Sequence, residues 1–143
     1  MGLFDKQDER YILSKDAAEA VVMSIFKYYE IDPSEIEDKE QKKFIAANYD
    51  RLVKAARLGR LEVETEKGIK VIQHLKESSE KIEYKEIDGN AKVATAGKET
   101  TDFYGRIYAV QGSLSGLGET GIKKLKGVDL SLCEVLGAIF LAA

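Results

Sequence analysis

The sequence predicts an α+β fold: an N-terminal helical pair, a small antiparallel β-sheet of three to four strands, and a C-terminal helical region. Three observations predict it. Apolar residues recur with helical spacing up to about residue 58, alternate with glutamates from Leu61, and return to helical spacing after Thr101. The 143 residues suit one domain, read as a helical region 1–60, a β-hairpin region 61–98 and C-terminal helices 99–143. With 44% hydrophobic and 33% charged residues the chain is globular in composition rather than disordered.

In the first helix Ala17, Val21, Ile25 and Tyr28 form a stripe that Ala20, Met23 and Phe26 widen. It should end near Ile31, and Asp32-Pro33-Ser34-Glu35 reads as the start of a second helix, with Asp32 as cap and Pro33 in the first turn. That helix is expected to run to about Leu58, with Phe44, Ile45, Tyr49, Leu52, Val53 and Ala56 inward and the charges of Glu37 to Lys43 in solvent. Gly59 is its left-handed stop.

Leu61, Val63 and Thr65 alternate with Glu62, Glu64 and Glu66, as a half-exposed strand requires. Lys67-Gly68 is a turn signal, Ile69 to Ile72 a second strand and Ile82-Glu83-Tyr84 a third, with His74 to Ser79 as the loop between the last two. Asp88-Gly89-Asn90 reads as a hairpin turn into a further strand, Ala91 to Ala96.

Asp102 is the expected cap of a helix with Phe103, Ile107, Val110 and Leu114 as its spine, stopped by Gly116-Leu117-Gly118. A short helix, Glu119 to Leu125, ends at Gly127. Asp129 then caps a last one from Leu130 to Leu141. This final helix is apolar nearly all round and must lie in the core or against a partner. Leu132, Leu136, Ile139 and Phe140 are therefore the expected partner-binding or oligomer interface.

Composition bears on function by exclusion. The net charge of −3, with four basic and four acidic residues from Thr101 onward, offers no basic face for nucleic acid. The segment Val128 to Ala143 is shorter than the about 20 residues a membrane span needs, and Asp129 and Glu134 interrupt it. MGLFDKQDER lacks the apolar core of a secretory signal, and Lys6 stands where acylation of Gly2 would want Ser or Thr. A lone Cys133 fits a reducing compartment, here the cytoplasm.

Catalytic chemistry is short of parts. His74 is the only histidine and reads as a surface residue, and Cys133 reads as a small buried hydrophobe. Gly116-Leu117-Gly118-Glu119-Thr120-Gly121 matches the dinucleotide fingerprint by letter, but a helix precedes it where the mechanism needs a strand. Glu62, Glu64 and Glu66 would share one solvated strand face, and no calcium-loop spacing is present. Tyr28, Tyr29 and Phe26 form either an aromatic anchor for a partner or packing against the sheet. The sequence thus predicts a non-enzymatic, protein-binding chain without cofactor or metal.

From Ile69 to Leu141 a polar–apolar strand pair leads into a helix with Arg106-Ile107-Tyr108-Ala109-Val110. Then come Leu114-Ser115-Gly116-Leu117, Ile122, and Leu125-Lys126-Gly127-Val128-Asp129-Leu130. This rhythm resembles the tail assembly chaperones of long-tailed bacteriophages and prophages. The helical N-terminal region departs from their usual short form, in which strands come near the start. The resemblance implies a homo-oligomeric protein of the bacterial host cytoplasm, with tape-measure or tail-tube protein as its partner. It would coat the tape-measure protein before tail-tube polymerisation by taking helices into a groove, and oligomerise through the final helix. The alternatives are a virion structural protein, such as a tail-completion or adaptor subunit, and a scaffold or regulatory domain unrelated to phage.

Overall fold

A computed structural model describes residues 10–76 and 78–143. The readings made on Met1 to Glu9, including those on Gly2 and Lys6, lie outside it, as does Glu77 in the expected loop. The first helix, α1 (Lys15–Tyr28), starts at Ser14, whose hydroxyl accepts from the Ala17 amide at 3.1 Å. Its buried stripe is Ala18, Val22, Ile25 and Phe26, whereas Ala17 and Ala20 are exposed. The helix is thus turned by about one residue from the sequence expectation, because Phe26, the largest apolar side chain in it, takes the centre of the core.

The second helix does not start at Pro33. Asp32 caps a single 3-10 turn, Pro33–Glu35, through the Ser34 amide at 2.9 Å, and the chain re-extends at Ile36. Asp38 then caps α2 (Lys39–Arg57) through Gln41 N. Two capping residues compete here, and the later one wins because it leaves Ile36 free to pack on the core. Ile45, Leu52, Val53 and Ala56 are buried as expected, with Phe44 and Tyr49 only half-buried. Gln41, expected among the solvated charges, is buried and donates to the carbonyl of Ala138 at 3.2 Å. Gly59 closes the helix at φ +76°, in the left-handed region.

Strands β1 (Leu61–Glu64), β2 (Lys70–His74) and β3 (Lys81–Tyr84) form an antiparallel sheet in the order β1-β2-β3. The register pairs Leu61 with Gln73 and Val71 with Tyr84, so one face carries Leu61, Val71, Gln73, Ile82 and Tyr84 into the core. The strand expected at Ala91 to Ala96 is instead a helix, α3 (Gly89–Ala96). Asp88, read as a turn residue, is its N-cap: its carboxylate accepts from the Ala91 amide at 3.0 Å and meets Lys85 at 3.0 Å. Only Ala91 is buried, so the segment lacks the alternate burial that would hold a strand, and its alanines favour the helix.

Asp102 caps α4 (Phe103–Ser115), which buries Ile107, Val110 and Leu114 and ends at Gly116, φ +77°. A short α5 (Gly118–Ile122) folds back on α4 at Gly112. A Cβ on Gly112 would stand 2.6 Å from the Gly118 backbone, so only glycine allows this approach. The last helix, α6 (Gly127–Ala142), begins before Asp129 with no side-chain cap, contrary to expectation. Asp129, in its first turn, reaches outward to accept from the Lys76 amide at 3.0 and 3.3 Å, pinning the β2–β3 loop.

An all-round apolar helix needs cover on every side, and α6 finds it within its own chain. It packs against α2 and α4, with Tyr84 of the sheet against Phe140. Gln41 near the start of α2 bonds Ala138 near the end of α6, while Ala55 and Leu132 line one cleft at the other end. The two helices therefore run antiparallel. No helix among the described residues is long and apolar enough to cross a membrane.

Candidate functional site

Leu132, Leu136, Ile139 and Phe140 are 0–3% exposed. The structure thus corrects the expected interface: these four hold the single chain together and present nothing to a partner in this conformation. Their burial, at about 1.5–3 kcal/mol per side chain, is a main source of cohesion.

The other singled-out residues also have structural work. Cys133 is buried, and burial pushes its thiol up to about 11, with hydrogen bonding to Tyr84 and Gln111 acting the other way. A thiol held protonated at neutral pH is a poor nucleophile. Tyr84 donates to Gln73 Oε1 at 2.7 Å, Gln73 Nε2 donates to the Asp129 carbonyl at 2.8 Å, and Gln111 Nε2 donates to the Cys133 carbonyl at 2.7 Å. These bonds tie the sheet and α4 to α6.

His74 lies on the outer strand surface, its Nε2 2.6 Å from Glu62 Oε1 across the β1–β2 pair. Glu62 and Glu64 share the exposed face of β1, but the strand stops before Glu66. The glycine run at 116–121 starts in the turn after α4 and continues into α5, which holds Gly118 to Gly121, so it is a helix–helix junction. Phe26 is fully buried, Tyr29 stacks edge-on against Phe140, and Tyr28 donates to Glu86 at 2.6 Å. Of the two readings of these aromatics, the structure shows internal packing.

What the sequence reading missed is an aromatic surface where α2 meets the start of α4. Phe44 stands edge-on to Phe103 at 5.2 Å and to Tyr104 at 6.2 Å, and Tyr108 follows Tyr104 at 6.4 Å. Tyr104 is 49% exposed, and Phe44 and Phe103 are half-buried. They line a shallow cleft of about 360 Å³ with Ala47, Glu40 and Lys43 at its rim. Tyr108 donates to Glu134 Oε2 at 2.7 Å, and burial together with this bond pushes its hydroxyl up to about 12. A signal was present. Phe103 and Tyr104 are adjacent, about 100° apart on a helix, and Tyr104 lies off the spine of Phe103, Ile107, Val110 and Leu114. Tyr104 and Tyr108, four apart, define a second, outer aromatic face.

No protein-family model matches the chain, and neither a curated protein nor a solved structure matches it.

Proposed function

We propose that the chain is a non-enzymatic protein-binding protein, a tail assembly chaperone of phage type whose client is a long helical tape-measure protein. The observation that carries protein binding is the half-open aromatic cluster of Phe44, Phe103, Tyr104 and Tyr108. Rigid aromatic rings with apolar bodies and polar tips are the residues that anchor protein interfaces. The shallow cleft between Phe44, Phe103 and Tyr104 suits the apolar face of a client helix, read as anchors three and four residues apart. The phage reading rests on the rhythm from Leu114 to Leu130. A protein that must later give way to a tail tube should hold its client through many modest contacts rather than one deep pocket.

The test is a pull-down with tagged full chain from lysate of its native source, with partners identified by mass spectrometry. Enrichment of a tape-measure-like protein supports the proposal. Recovery of tube, capsid or connector subunits favours the virion-structural reading, and an absence of phage proteins removes the phage part of the proposal.

A further inference from the structure

The antiparallel packing of α2 on α6 gives the molecule two chemically opposite ends. At one end, where α2 finishes and α6 begins, two adjoining clefts of about 240 and 420 Å³ share Lys76, Val128 and Asp129. Arg51, Lys54, Arg60, Lys76, Lys124 and Lys126 line them, and Arg10 stands on the same wall. No side-chain ion pair or hydrogen bond engages those six cations among the described residues. The one carboxylate in the lining, Asp129, is already occupied by the Lys76 amide. Leu58, Leu125 and Val128 supply an apolar centre, Val128 being 40% exposed.

At the other end, where α2 begins and α6 finishes, the lining reverses sign. Glu30, Asp32, Glu35, Glu37 and Asp38 are all exposed around a cleft of about 590 Å³, with Ile31, Ile36 and Leu141 as its apolar centre. The nearby cations are partly engaged: Lys42 donates to the Ser34 carbonyl and Lys92 to the Ala143 carbonyl, with Lys39 exposed. The 19 residues of α2 separate the two ends by about 28 Å. That exceeds the screening length of about 8 Å at physiological salt, so the two charges do not neutralise each other within one molecule.

We propose that copies of this chain associate head to tail, the basic end of one receiving the acidic end of the next. Each end is opposite to the other in charge and like it in having an apolar centre inside a charged rim, and the net charge of −3 is small against these local charges. The contact joins unlike surfaces, so it propagates into a ring or an open chain rather than closing as a two-fold dimer. The proposal is independent of the client's identity and replaces the buried face of α6 as the route to an oligomer.

Sedimentation velocity of the full chain over a concentration series tests it, at about 20 mM and about 500 mM NaCl, where screening differs severalfold. The expected result is a mass that rises with concentration in low salt and returns to monomer in high salt. The double variants Lys54→Glu/Arg60→Glu and Glu35→Lys/Glu37→Lys change exposed or half-exposed residues and should keep the wild-type melting curve. Each alone should associate at least about tenfold more weakly, because like charges then meet. An equimolar mixture of the two should associate again, which a merely structural effect of either variant would not produce. A wild-type chain monomeric in low salt, salt-insensitive association, or a mixture that stays monomeric would each overturn the proposal. So would tight binding of a glutamate-rich peptide by a chain that does not self-associate, marking the basic end as a site for a foreign acidic segment.

Discussion

Replacing Tyr84 by Phe isolates the polar link between the sheet and the final helix. Tyr84 is 0% exposed and its ring packs on Phe140, so the substitution keeps the apolar burial and deletes one hydroxyl. That hydroxyl is the donor to Gln73 Oε1, and Gln73 is itself 0% exposed. Without it the buried carbonyl oxygen loses its donor where water cannot replace it, a cost of about 1–3 kcal/mol. With an unfolding entropy of about 2.1 cal/mol/K per residue over 143 residues, this corresponds to a fall in Tm of about 3–10 °C. Calorimetry and urea unfolding measure it. The double variant Tyr84→Phe/Gln73→Leu removes both partners and should lose less than the sum of the single losses, with a coupling of about 1 kcal/mol or more. A Tyr84→Phe protein within about 0.5 kcal/mol of wild type, or strictly additive losses, would refute the reasoning.

Three further outcomes are expected. Asp88→Ala should cost about 1 kcal/mol and reduce helical circular dichroism, since it removes the cap of α3; a strand at Ala91 to Ala96 would show neither. Gly112→Ala should destabilise by about 1–3 kcal/mol in urea melts, because its Cβ would meet the Gly118 backbone rather than a yielding side chain. Stability should also fall in alkali. The Cys133 thiol is raised from 9.0 to about 11, and the Tyr29 and Tyr108 hydroxyls from 10.0 to about 12, so the unfolded chain releases these protons first. The stabilisation is therefore complete below about pH 9 and is lost as pH rises toward 11–12. In Cys133→Ala the onset should move up to about pH 10, read from denaturation midpoints at stepped pH.

The parts of the fold legible in the sequence are those where local chemistry and tertiary packing agree. Gly59 and Gly116 stop helices with a positive φ, Asp102 caps α4, and the alternation at Leu61 to Glu64 marks a strand. Illegible parts are those where two local signals compete and distant contacts decide. Asp32 and Asp38 are both competent caps, and Asp88-Gly89-Asn90 suits a hairpin turn or a helix start equally well. The all-apolar final helix was legible as buried, but not as buried within its own chain: that depended on α2 and α4 covering both its flanks. Of the candidate site, Phe44 and Phe103 were read as core because their spacing fits a helical stripe. Both are half-buried because they meet each other at the outer edge of the α2–α4 contact, beside the exposed Tyr104. The opposed charged ends were hidden because their residues come from segments far apart in sequence, joined only by the antiparallel crossing.

The most direct measurement on the central claim is a paired pull-down from native lysate with wild type and Tyr104→Ser, scored by quantitative mass spectrometry. Tyr104 is half exposed, so the variant should keep its wild-type melting curve. The account predicts that a long helical tape-measure-like protein is enriched by wild type and at least about tenfold depleted with the variant, the loss of one interface anchor. Equal recovery of the same partners by both proteins would contradict it.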